Sequence, residues 1–317
     1  MLTTPHISVI LSVFNGGSFL VESVESVLNQ RYTDFEFLIM DDCSTDESLS
    51  YLNSIRDERV RIFRQEKNRS LFPCLNELIA YSKGELIKIW SQDDIMYPRC
   101  LGVTAAFHKE HPGIGFSYSG RDTIDERGVL KPNSHVDKTP DIISPELHAR
   151  IAFYTGSIAG NIANVCINKS ALEKVGLFHE DMTIVADFDM WVRLARYYDT
   201  GFIREPLVQL RDHKNQLSRN RNYFIRRPIE DMHVFNYLVS YVPEDIKKEG
   251  LLNLRKYKFV YYYTLMVKAV LRGKLSTAFA FFKELYAFGN FGALTISFLR
   301  SKFSDVKKPD FIDDPEP

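Results

Sequence analysis

Two adjacent carboxylates, Asp93 and Asp94, follow the apolar run "IKIW" in the stretch "IKIWSQDDIMYP". One polar residue would be enough to turn the backbone, so two like charges side by side suggest a further role. Adjacent carboxylates bind hard cations through oxygen, and Mg²⁺ or Mn²⁺ held in this way usually completes its shell with substrate phosphates. The alternative is that the pair only caps a turn or a helix.

Polar residues also end two earlier apolar runs. Asn15 follows "ISVILSVF", and Asp41 and Asp42 follow "FEFLIM" and begin "DDCSTD". In open α/β sheets, ligands bind at the carboxyl ends of the strands, where the loops of neighbouring units converge. The sequence therefore predicts one site formed by these loops, with a structural cap on the "CSTD" turn as the alternative role for Asp41.

Strands and helices alternate in the N-terminal part of the chain. The runs "ISVILSVF", "FEFLIM", "VRIFR" and "ELIKIW" predict strands, and an amphipathic helix follows the first, with Leu20, Val24, Val27 and Leu28 on one face. Another helix is predicted through Leu75 to Ala80, with Gly84 as its stop. This alternation predicts an α/β fold with a largely parallel sheet, and the region from about Ile114 to His213 adds strands and helices of mixed direction.

Composition narrows the functional classes. The chain has 317 residues, of which 45% are hydrophobic, and a formal net charge of −1, which argues against binding nucleic acid through bulk positive charge. The four cysteines lack a C-x-x-C spacing, and no basic segment leads into a cleavable apolar stretch, so we expect a cytoplasmic protein without a zinc site. Neither a dinucleotide-binding fingerprint nor a P-loop occurs.

Four stretches in order and spacing carry a family resemblance. They are "ISVILSVFNGGSFLVESVESVLNQRYTDFEFLIMDDCSTDES", "NRSLFPCLNELIAYSKGELIKIWSQDDIMYP", "VGLFHEDMTIVADFDMWVRLARY" and "PLVQLRDH". Together, from about Ile7 to His213, they resemble the inverting glycosyltransferases of family 2, which have the GT-A fold. The resemblance implies a GT-A type nucleotide-binding mixed sheet flanked by helices.

The resemblance also implies a nucleotide-sugar donor, UDP- or dTDP-linked, with Mn²⁺ or Mg²⁺ on its diphosphate. Ser12, Phe14 and Asp42 would line the nucleoside pocket, and Gln92 and Asp93 would contact the nucleotide. Phe14 stands where the family often has Tyr, so stacking on the base is retained while a phenolic hydrogen bond is lost.

The metal would be held by Asp93, Asp94 and His213, with Asp93 facing either the ribose or the metal. "SQDD" departs from the commoner family pattern "DADD", because Ser91 stands where the first acid usually does. The metal is therefore left with fewer anionic ligands. The alternative for His213 is an ordinary packed or surface residue.

The catalytic base implied by the resemblance is Asp187 in "VADFDMW". It matches the second letter of the family's "ED" pair, with Ala186 in place of Glu. The alternative is that Asp187 or Asp189 caps the helix that follows and interacts favourably with its dipole. Trp191 belongs either to the core or to a platform for the acceptor.

The C-terminal third is dense in Tyr, Phe, Leu and Lys and predicts a helical appendage. We expect a GT-A domain over residues 1–218, with a donor half at about 5–112 and an acceptor half at 113–218, then a helical region over 219–303 and a mobile tail over 304–317.

The arginine-rich stretch "RNRNYFIRRP" carries Arg219, Arg221, Arg226 and Arg227. These side chains could form a lid over the diphosphate, a contact for anionic lipids or a solvated helix start. The aromatic helices could pack on the protein, form a homo-oligomer or make a peripheral membrane contact.

These observations predict a cytoplasmic, metal-dependent glycosyltransferase acting on a saccharide acceptor, by analogy in surface polysaccharide biosynthesis such as that of capsule, O-antigen or exopolysaccharide. Two alternatives remain. A sugar nucleotidyltransferase would need a Gly-rich loop with a basic residue, which "NGGSFLVES" does not supply. A catalytically impaired nucleotide-sugar-binding scaffold is suggested by Ser91 and Ala186. The sugar, the nucleobase and the linkage do not follow from the sequence.

Overall fold

A computed structural model of the protein describes residues 5–132, 139–214, 216, 226–256, 258–287 and 291–301. It divides into a first unit, Met1–Pro145 with Ala159–Arg219, and a second unit, Glu146–Ile158 with Asn220–Pro317. The domain boundary was expected after residue 218, and the first unit ends at Arg219. The segment Glu146–Ile158 belongs to the second unit, although the sequence prediction included it in the GT-A domain.

The first unit is built on a mixed sheet. Its strands within the described residues are β1 (Ile7–Val13), β2 (Phe35–Asp41), β3 (Val60–Arg64), β4 (Leu86–Trp90), β5 (Ile95–Met96), β6 (Ile114–Ile124), β7 (Ile142–Ile143), β8 (Val165–Asn168) and β9 (Asp199–Arg211). Their order is β3-β2-β1-β4-β8-β6-β9-β5, with β7 paired to β9. β1 to β4 are mutually parallel, whereas β8 is antiparallel to both of its neighbours.

Helices flank this sheet. A short 3₁₀ turn (Gly17–Phe19) leads into α1 (Leu20–Leu28), and the other helices of the first unit are α2 (Ser48–Ser54), α3 (Leu71–Tyr81), α4 (Cys100–Glu110), α6 (Lys169–Val175) and α7 (Ala186–Ala195). β2 and β4 are buried along their whole length, as expected for strands covered on both faces. The predicted α/β fold with its mixed sheet is confirmed.

Gly84 has a different role from the predicted helix stop. α3 already ends at Tyr81, three residues earlier. A Cβ atom on Gly84 would lie 2.5 Å from the backbone nitrogen of Ser8, and the Gly84 amide donates to Ser8 Oγ at 2.8 Å. Glycine is needed because the chain passes directly against β1 at this point.

The second unit is helical, as predicted for the C-terminal third. Its helices in the described part of the chain are α5 (Pro145–Thr155), α8 (Arg226–Tyr241), α9 (Glu244–Lys256), α10 (Lys258–Leu271), α11 (Leu275–Ala287) and α12 (Phe291–Ser301). α5 joins this unit by packing Phe153 against Phe235, with ring centroids 6.3 Å apart, and by an ion pair of Arg150 with Asp245 at 2.9 Å.

Two predicted features of the C-terminal third lie outside the described residues. They are most of the arginine cluster, with Arg219 and Arg221, and the tail over 304–317; Arg226 and Arg227 begin α8. None of the helices described here has the length and apolar character needed to span a bilayer.

Candidate active site

The polar loops identified in the sequence meet at one edge of the sheet. β1 pairs in parallel with β2 on one side and with β4 on the other, so the carboxyl ends of these three strands are adjacent. Asn15, Asp42 and Asp93 follow these ends. The register of the parallel strands thus explains why loops that are far apart in sequence form one site.

Gln92 holds the backbone of Phe14. Its Oε1 accepts a hydrogen bond from the Phe14 amide at 2.9 Å, and its Nε2 donates to the Phe14 carbonyl at 3.2 Å. The Phe14 ring is left 45% exposed at the strand end, where an aromatic face can stack on a planar ligand. Gln92 therefore positions the proposed stacking residue, a role that the sequence prediction of a direct nucleotide contact did not include.

Asp42 is buried and orients the segment before α3. Its two carboxylate oxygens accept hydrogen bonds from the amides of Arg69 at 2.7 Å and Ser70 at 2.9 Å. Each carboxylate oxygen can accept a second bond, so Asp42 retains acceptor capacity for a ligand. Burial, followed by the charge of Asp42, raises the pKa of Cys74 to about 12. Cys74 is thus a protonated donor rather than a nucleophile.

Asp41 has the structural role given above as its alternative. Its carboxylate oxygens accept from the Ser44 amide at 3.3 and 3.4 Å, and Arg64 Nε lies 3.8 Å away. The side chain is fully buried beneath the "CSTD" turn. Asp41 therefore shapes the loop, and Asp42 stays the predicted nucleotide-binding acid of this pair.

Backbone strain is concentrated at this edge. Asn15, Cys43 and Ser70 have φ angles of 49°, 65° and 74°, a region that residues other than glycine seldom adopt. Asn15 also links two loops, because its Oδ1 accepts from the Thr45 amide at 2.8 Å. Such strained positions are typical of ligand-binding loops held in place by their surroundings.

The acid pair contacts the end of β9. β5 pairs antiparallel with β9, which brings the "SQDD" loop beside Arg211 and His213. Asp93 Oδ2 lies 2.7 Å from His213 Nε2, and Ser91 Oγ donates to Asp93 Oδ1. Asp94 Oδ1 accepts from the Arg211 amide at 2.8 Å. The structure therefore places Asp93 against His213 and binds Asp94 to the backbone of Arg211, two residues before His213.

Arg211 is the functional residue that the sequence reasoning missed. It is 2% exposed, and its guanidinium donates from Nε to the Asp93 carbonyl at 2.9 Å and pairs with Glu22 of α1 at 2.5 Å. It also lies over the Phe19 ring, 4.6 Å from the centroid. The available signal was a cation at the end of a predicted strand, two residues before His213.

The two carboxylates of the acid pair differ in their surroundings, and Asp94 is the more buried of the two. Burial, followed by the charge of Asp93, raises the pKa of Asp94 to about 8, so the ionised form of Asp94 needs a positive partner. Across the described ranges, no group of three or more His, Cys, Asp or Glu side chains is arranged to hold a metal. The metal site predicted at Asp93, Asp94 and His213 therefore stays a prediction.

Asp187 lies in the first turn of α7 and is only partly buried. Its Oδ1 accepts from the Phe188 amide at 2.7 Å. Asp189, by contrast, is buried and pairs with Arg193 Nε at 2.7 Å and with His179 at 3.4 Å. Asp189 is therefore occupied in an ion pair, and Asp187 remains the candidate base of this helix.

The loop before α7 is fixed to the donor half. Asn76 of α3 donates to the Phe178 carbonyl at 2.9 Å and accepts from its amide at 3.0 Å. Phe178 contacts Trp191 edge-on at 6.2 Å, and Trp191 stacks on Phe116 at 5.0 Å. Trp191 is fully buried and thus belongs to the core, rather than to a platform for the acceptor.

Comparison with known proteins relates this chain to one family. The sequence model of the family described as Glycosyl transferase family 2 matches residues 8–176. An uncharacterized glycosyltransferase of Rickettsia felis is 28% identical over 228 residues, which cover 68% of this chain and 35% of that protein. The putative glycosyltransferase EpsE of Bacillus subtilis is 26% identical over 229 residues, covering 69% of this chain and 77% of EpsE. The chain thus matches about a third of the length of the Rickettsia relative.

Solved structures of similar architecture include S. aureus TarS 1–349 in complex with UDP-GlcNAc, with a TM-score of 0.63, 19% identity and coverage of 80% of this chain and 73% of that one. The mannosyltransferase PcManGT from Pyrobaculum calidifontis, in complex with GDP-Man and Mn²⁺, gives a TM-score of 0.58, 16% identity and coverage of 96% and 89%. At such identities the likeness shows the fold.

Proposed function

The chain belongs to glycosyl transferase family 2, and on this basis we propose that it is an inverting glycosyltransferase. It would move a sugar from a nucleoside-diphosphate donor to a hydroxyl of a glycan or lipid-linked saccharide. The observation that carries this proposal is the cluster of Asp93 and Asp94 with His213 and Arg211 at the carboxyl end of β4. A neighbouring aromatic ring, Phe14, completes a donor site.

The nucleoside binds against Phe14, whose exposed ring stacks on the base. Gln92 keeps this ring in place through its two hydrogen bonds to the Phe14 backbone. Ser12 and Asp42 line the same pocket, and Asp42 offers its remaining acceptor capacity to the base or the ribose. The strained loops around Asn15 and Cys43 support a preformed pocket rather than one assembled on binding.

Asp93, Asp94 and His213 would hold Mn²⁺ or Mg²⁺ together with the donor diphosphate. Such a cation supplies Lewis-acid stabilisation of the negative charge that develops on the departing diphosphate. Arg211 keeps the ligands in position, because it donates to the backbone of Asp93 through its side chain and to Asp94 through its amide. His213 Nε2 is hydrogen-bonded to the Asp93 carboxylate in this structure, and it would exchange that bond for the cation if it acts as a ligand, since one imidazole nitrogen cannot do both.

Asp187 would act as the general base. Its carboxylate accepts the proton of the acceptor hydroxyl while that oxygen forms a bond to the anomeric carbon of the sugar. The bond between this carbon and the diphosphate breaks on the opposite side, and the diphosphate leaves with the electron pair. A single displacement of this kind inverts the configuration and needs one base. Positioned proton transfer typically contributes about 100- to 10,000-fold to the rate.

We propose a cytoplasmic role in surface polysaccharide biosynthesis, with a UDP- or dTDP-sugar as donor. The similar structures named above contain UDP-GlcNAc in one case and GDP-Man with Mn²⁺ in the other, so the fold accommodates more than one base. A pocket that recognises the base mainly through stacking on Phe14 would likewise accept different bases. The choice of base therefore depends on groups around Asp42.

The test is a panel of UDP-, dTDP- and GDP-sugars, each with Mn²⁺ and with a chelator. Release of nucleoside diphosphate is followed for transfer to an acceptor and for slow hydrolysis. The expected result is metal-dependent release from one donor, which also raises the melting temperature by binding the folded state. A scaffold would be stabilised by a donor without releasing diphosphate, and a nucleotidyltransferase would release pyrophosphate from a nucleoside triphosphate; either result contradicts the proposal.

A further inference from the structure

One face of α11 exposes four large apolar side chains. Leu275, Phe279, Phe282 and Tyr286 are 67%, 67%, 37% and 64% exposed. Their spacing of four, three and four residues places them along one side of the helix. The rings form a ladder, with centroids 6.5 Å apart for Phe279 and Phe282 and 5.7 Å apart for Phe282 and Tyr286. We refer to these four residues as the α11 stripe.

The stripe is separate from the side of α11 that packs inside the second unit. Ala278, Phe281 and Leu285 are 6%, 2% and 0% exposed and form the inner side of the helix. α11 is therefore anchored mainly by this inner side, and of the stripe residues Phe282 makes a ring contact with another helix, its centroid lying 5.0 Å from that of Phe291 of α12. A run of exposed aromatic and aliphatic side chains that the unit does not need for its own core is typical of an interaction surface.

The segment that carries the stripe is rich in positive charge. Residues 258–287 contain five Lys or Arg and one acid, a net charge of +4, whereas the whole chain has a formal net charge of −1. Four of these cations, Lys268, Arg272, Lys274 and Lys283, are exposed. The acid, Glu284, has a largely buried side chain that lies 3.8 Å from His233. The segment thus combines exposed apolar rings with an excess of positive charge, although Lys258 pairs with Asp231 at 3.9 Å.

We propose that the α11 stripe and its flanking cations dock the protein on a membrane surface that contains anionic lipid headgroups. Helices that lie in a membrane interface combine Phe and Leu on one face with Lys and Arg beside it. The long lysine side chains extend their charge toward headgroups while their methylene groups follow the apolar surface. Docking of this kind needs no spanning helix.

Charge complementarity favours lipid over a second copy of this chain. A two-fold symmetric interface would place the stripe against itself, and with it two segments of net charge +4. Like charges brought together in this way repel. An anionic membrane surface instead attracts each cation. Each Lys or Arg near the surface increases the binding constant for the membrane by about fivefold. This inference goes beyond the proposed transfer reaction and needs no assumption about the donor.

The experiment is co-sedimentation of the full chain with vesicles of phosphatidylcholine alone and of phosphatidylcholine with phosphatidylglycerol, without donor or acceptor. Binding to the anionic vesicles is expected, and it should weaken as salt screens the attraction. Phe279→Ser should lower the partition coefficient about tenfold, because it removes the apolar ring that enters the interface. Arg272→Gln combined with Lys274→Gln should lower it by about 25-fold, at fivefold for each cation.

Matched controls remove similar groups elsewhere. Leu130→Ser changes an exposed aliphatic side chain of the first unit, and Lys247→Gln changes a surface cation of α9. Both variants should bind vesicles as the unaltered chain does. Circular dichroism should show that Phe279→Ser keeps its helices, since the ring is 67% exposed.

Three results would overturn the proposal. The first is an unaltered chain that does not sediment with anionic vesicles at low salt. The second is equal binding by the unaltered chain, Phe279→Ser and the double charge variant. The third is a dimer in light scattering that Phe279→Ser converts to a monomer, because the stripe would then be a self-association surface. Diphosphate release is not part of this readout, so a failure here is distinct from a failure of the proposed reaction.

Discussion

The Nε2 atom of His213 lies 2.7 Å from the Oδ2 atom of Asp93, although 120 residues separate them in the chain. The antiparallel pairing of β5 with β9 brings the two residues together. Because both side chains are largely buried, with 11% and 19% exposed, this hydrogen bond fixes the direction of the Asp93 carboxylate. The orientation of one proposed metal ligand thus depends on the end of a distant strand.

We predict that His213→Asn lowers metal-dependent turnover by about 10- to 100-fold, the usual cost of losing a group that ligates a metal or orients a ligand. The concentration of Mn²⁺ that gives half-maximal activity should rise at the same time. Steady-state rates over a range of Mn²⁺ concentrations test this. His233→Asn is the matched control, because His233 lies in the second unit with a side chain 56% exposed. An unchanged dependence on Mn²⁺ in His213→Asn would remove the proposed role.

Asp94→Asn should abolish metal-dependent transfer while the fold is kept. The amide oxygen of Asn can still accept from the Arg211 backbone, whereas the negative charge that would hold a cation is lost. We expect turnover to fall at least about 100-fold, as stabilisation worth several kcal/mol disappears. Asp94→Ala should lose as much activity and some stability in addition. Asp57→Asn, which removes a surface carboxylate paired with Arg59, serves as control. Undiminished turnover in Asp94→Asn would refute the metal site.

Local patterns were enough to predict the donor half of the fold. The buried runs of β1, β2 and β4 and the apolar face of α1 follow from periodicity alone. The rule that ligands bind at the carboxyl ends of strands then selected the loops that contain Asp42 and Asp93, and the family resemblance implied the roles of these two residues. These features are visible in sequence because each depends on neighbours within a few residues.

Long-range contacts were not accessible in the same way. Arg211 reaches the Asp93 carbonyl only because β5 pairs with β9. Lys88, in the middle of β4, is fully buried, where its Nζ donates to the carbonyls of Ala163 and Val165, and nothing in "ELIKIW" distinguishes it from a surface lysine. Both residues satisfy backbone groups of distant segments, and such pairings depend on the assembled sheet rather than on local propensity.

Asp187→Asn should retain donor binding and reduce turnover by about 100- to 10,000-fold, because the variant loses its general base. Titration calorimetry with the nucleotide sugar and a turnover assay together measure the two effects. Equal loss of binding and turnover would point to misfolding instead of catalysis.

Asp189→Asn provides the contrast on the same helix. It breaks the buried ion pair with Arg193, in which both side chains are less than 10% exposed. We expect a loss of stability of up to about 3–5 kcal/mol, because the buried guanidinium keeps its bonds to the carbonyls of Val175 and Leu177 but loses the negative charge that compensates it. Chemical denaturation measures this loss, and the folded fraction should keep its turnover. Full stability in Asp189→Asn would contradict the structural role.

Phe14→Ala should weaken nucleotide binding by about 1–3 kcal/mol, the usual contribution of stacking between an aromatic side chain and a base. Phe14→Tyr should bind as well as the unaltered chain, since the ring remains. Gln92→Ala should show an intermediate loss, because the ring is present but its backbone is no longer held. Fluorescence or calorimetric titration with the nucleoside diphosphate gives the affinities. Equal affinity of Phe14→Ala and the unaltered chain would exclude stacking at this position.

The stability of the first unit should fall on mild acidification, and His108 should account for part of the loss. Burial, followed by the charges of His6 and His111, lowers the pKa of His108 to about 4, and its Nε2 lies 2.9 Å from Ser117 Oγ. In the unfolded chain the same group titrates near its ordinary pKa of about 6.5. Between these two values the unfolded state binds more protons, so protonation favours unfolding as the pH falls.

The contribution of His108 to the free energy of unfolding is therefore present above pH of about 6.5 and decreases toward pH 4. Between pH 7 and pH 5 it should decrease by about 2 kcal/mol. Urea denaturation at both pH values, with the unaltered chain and His108→Gln, isolates this term, because the other titrating groups are common to both. His108→Gln should lose less stability on acidification, whatever its stability at pH 7. An equal loss in the two proteins would mean that His108 is accessible to protons in the folded state.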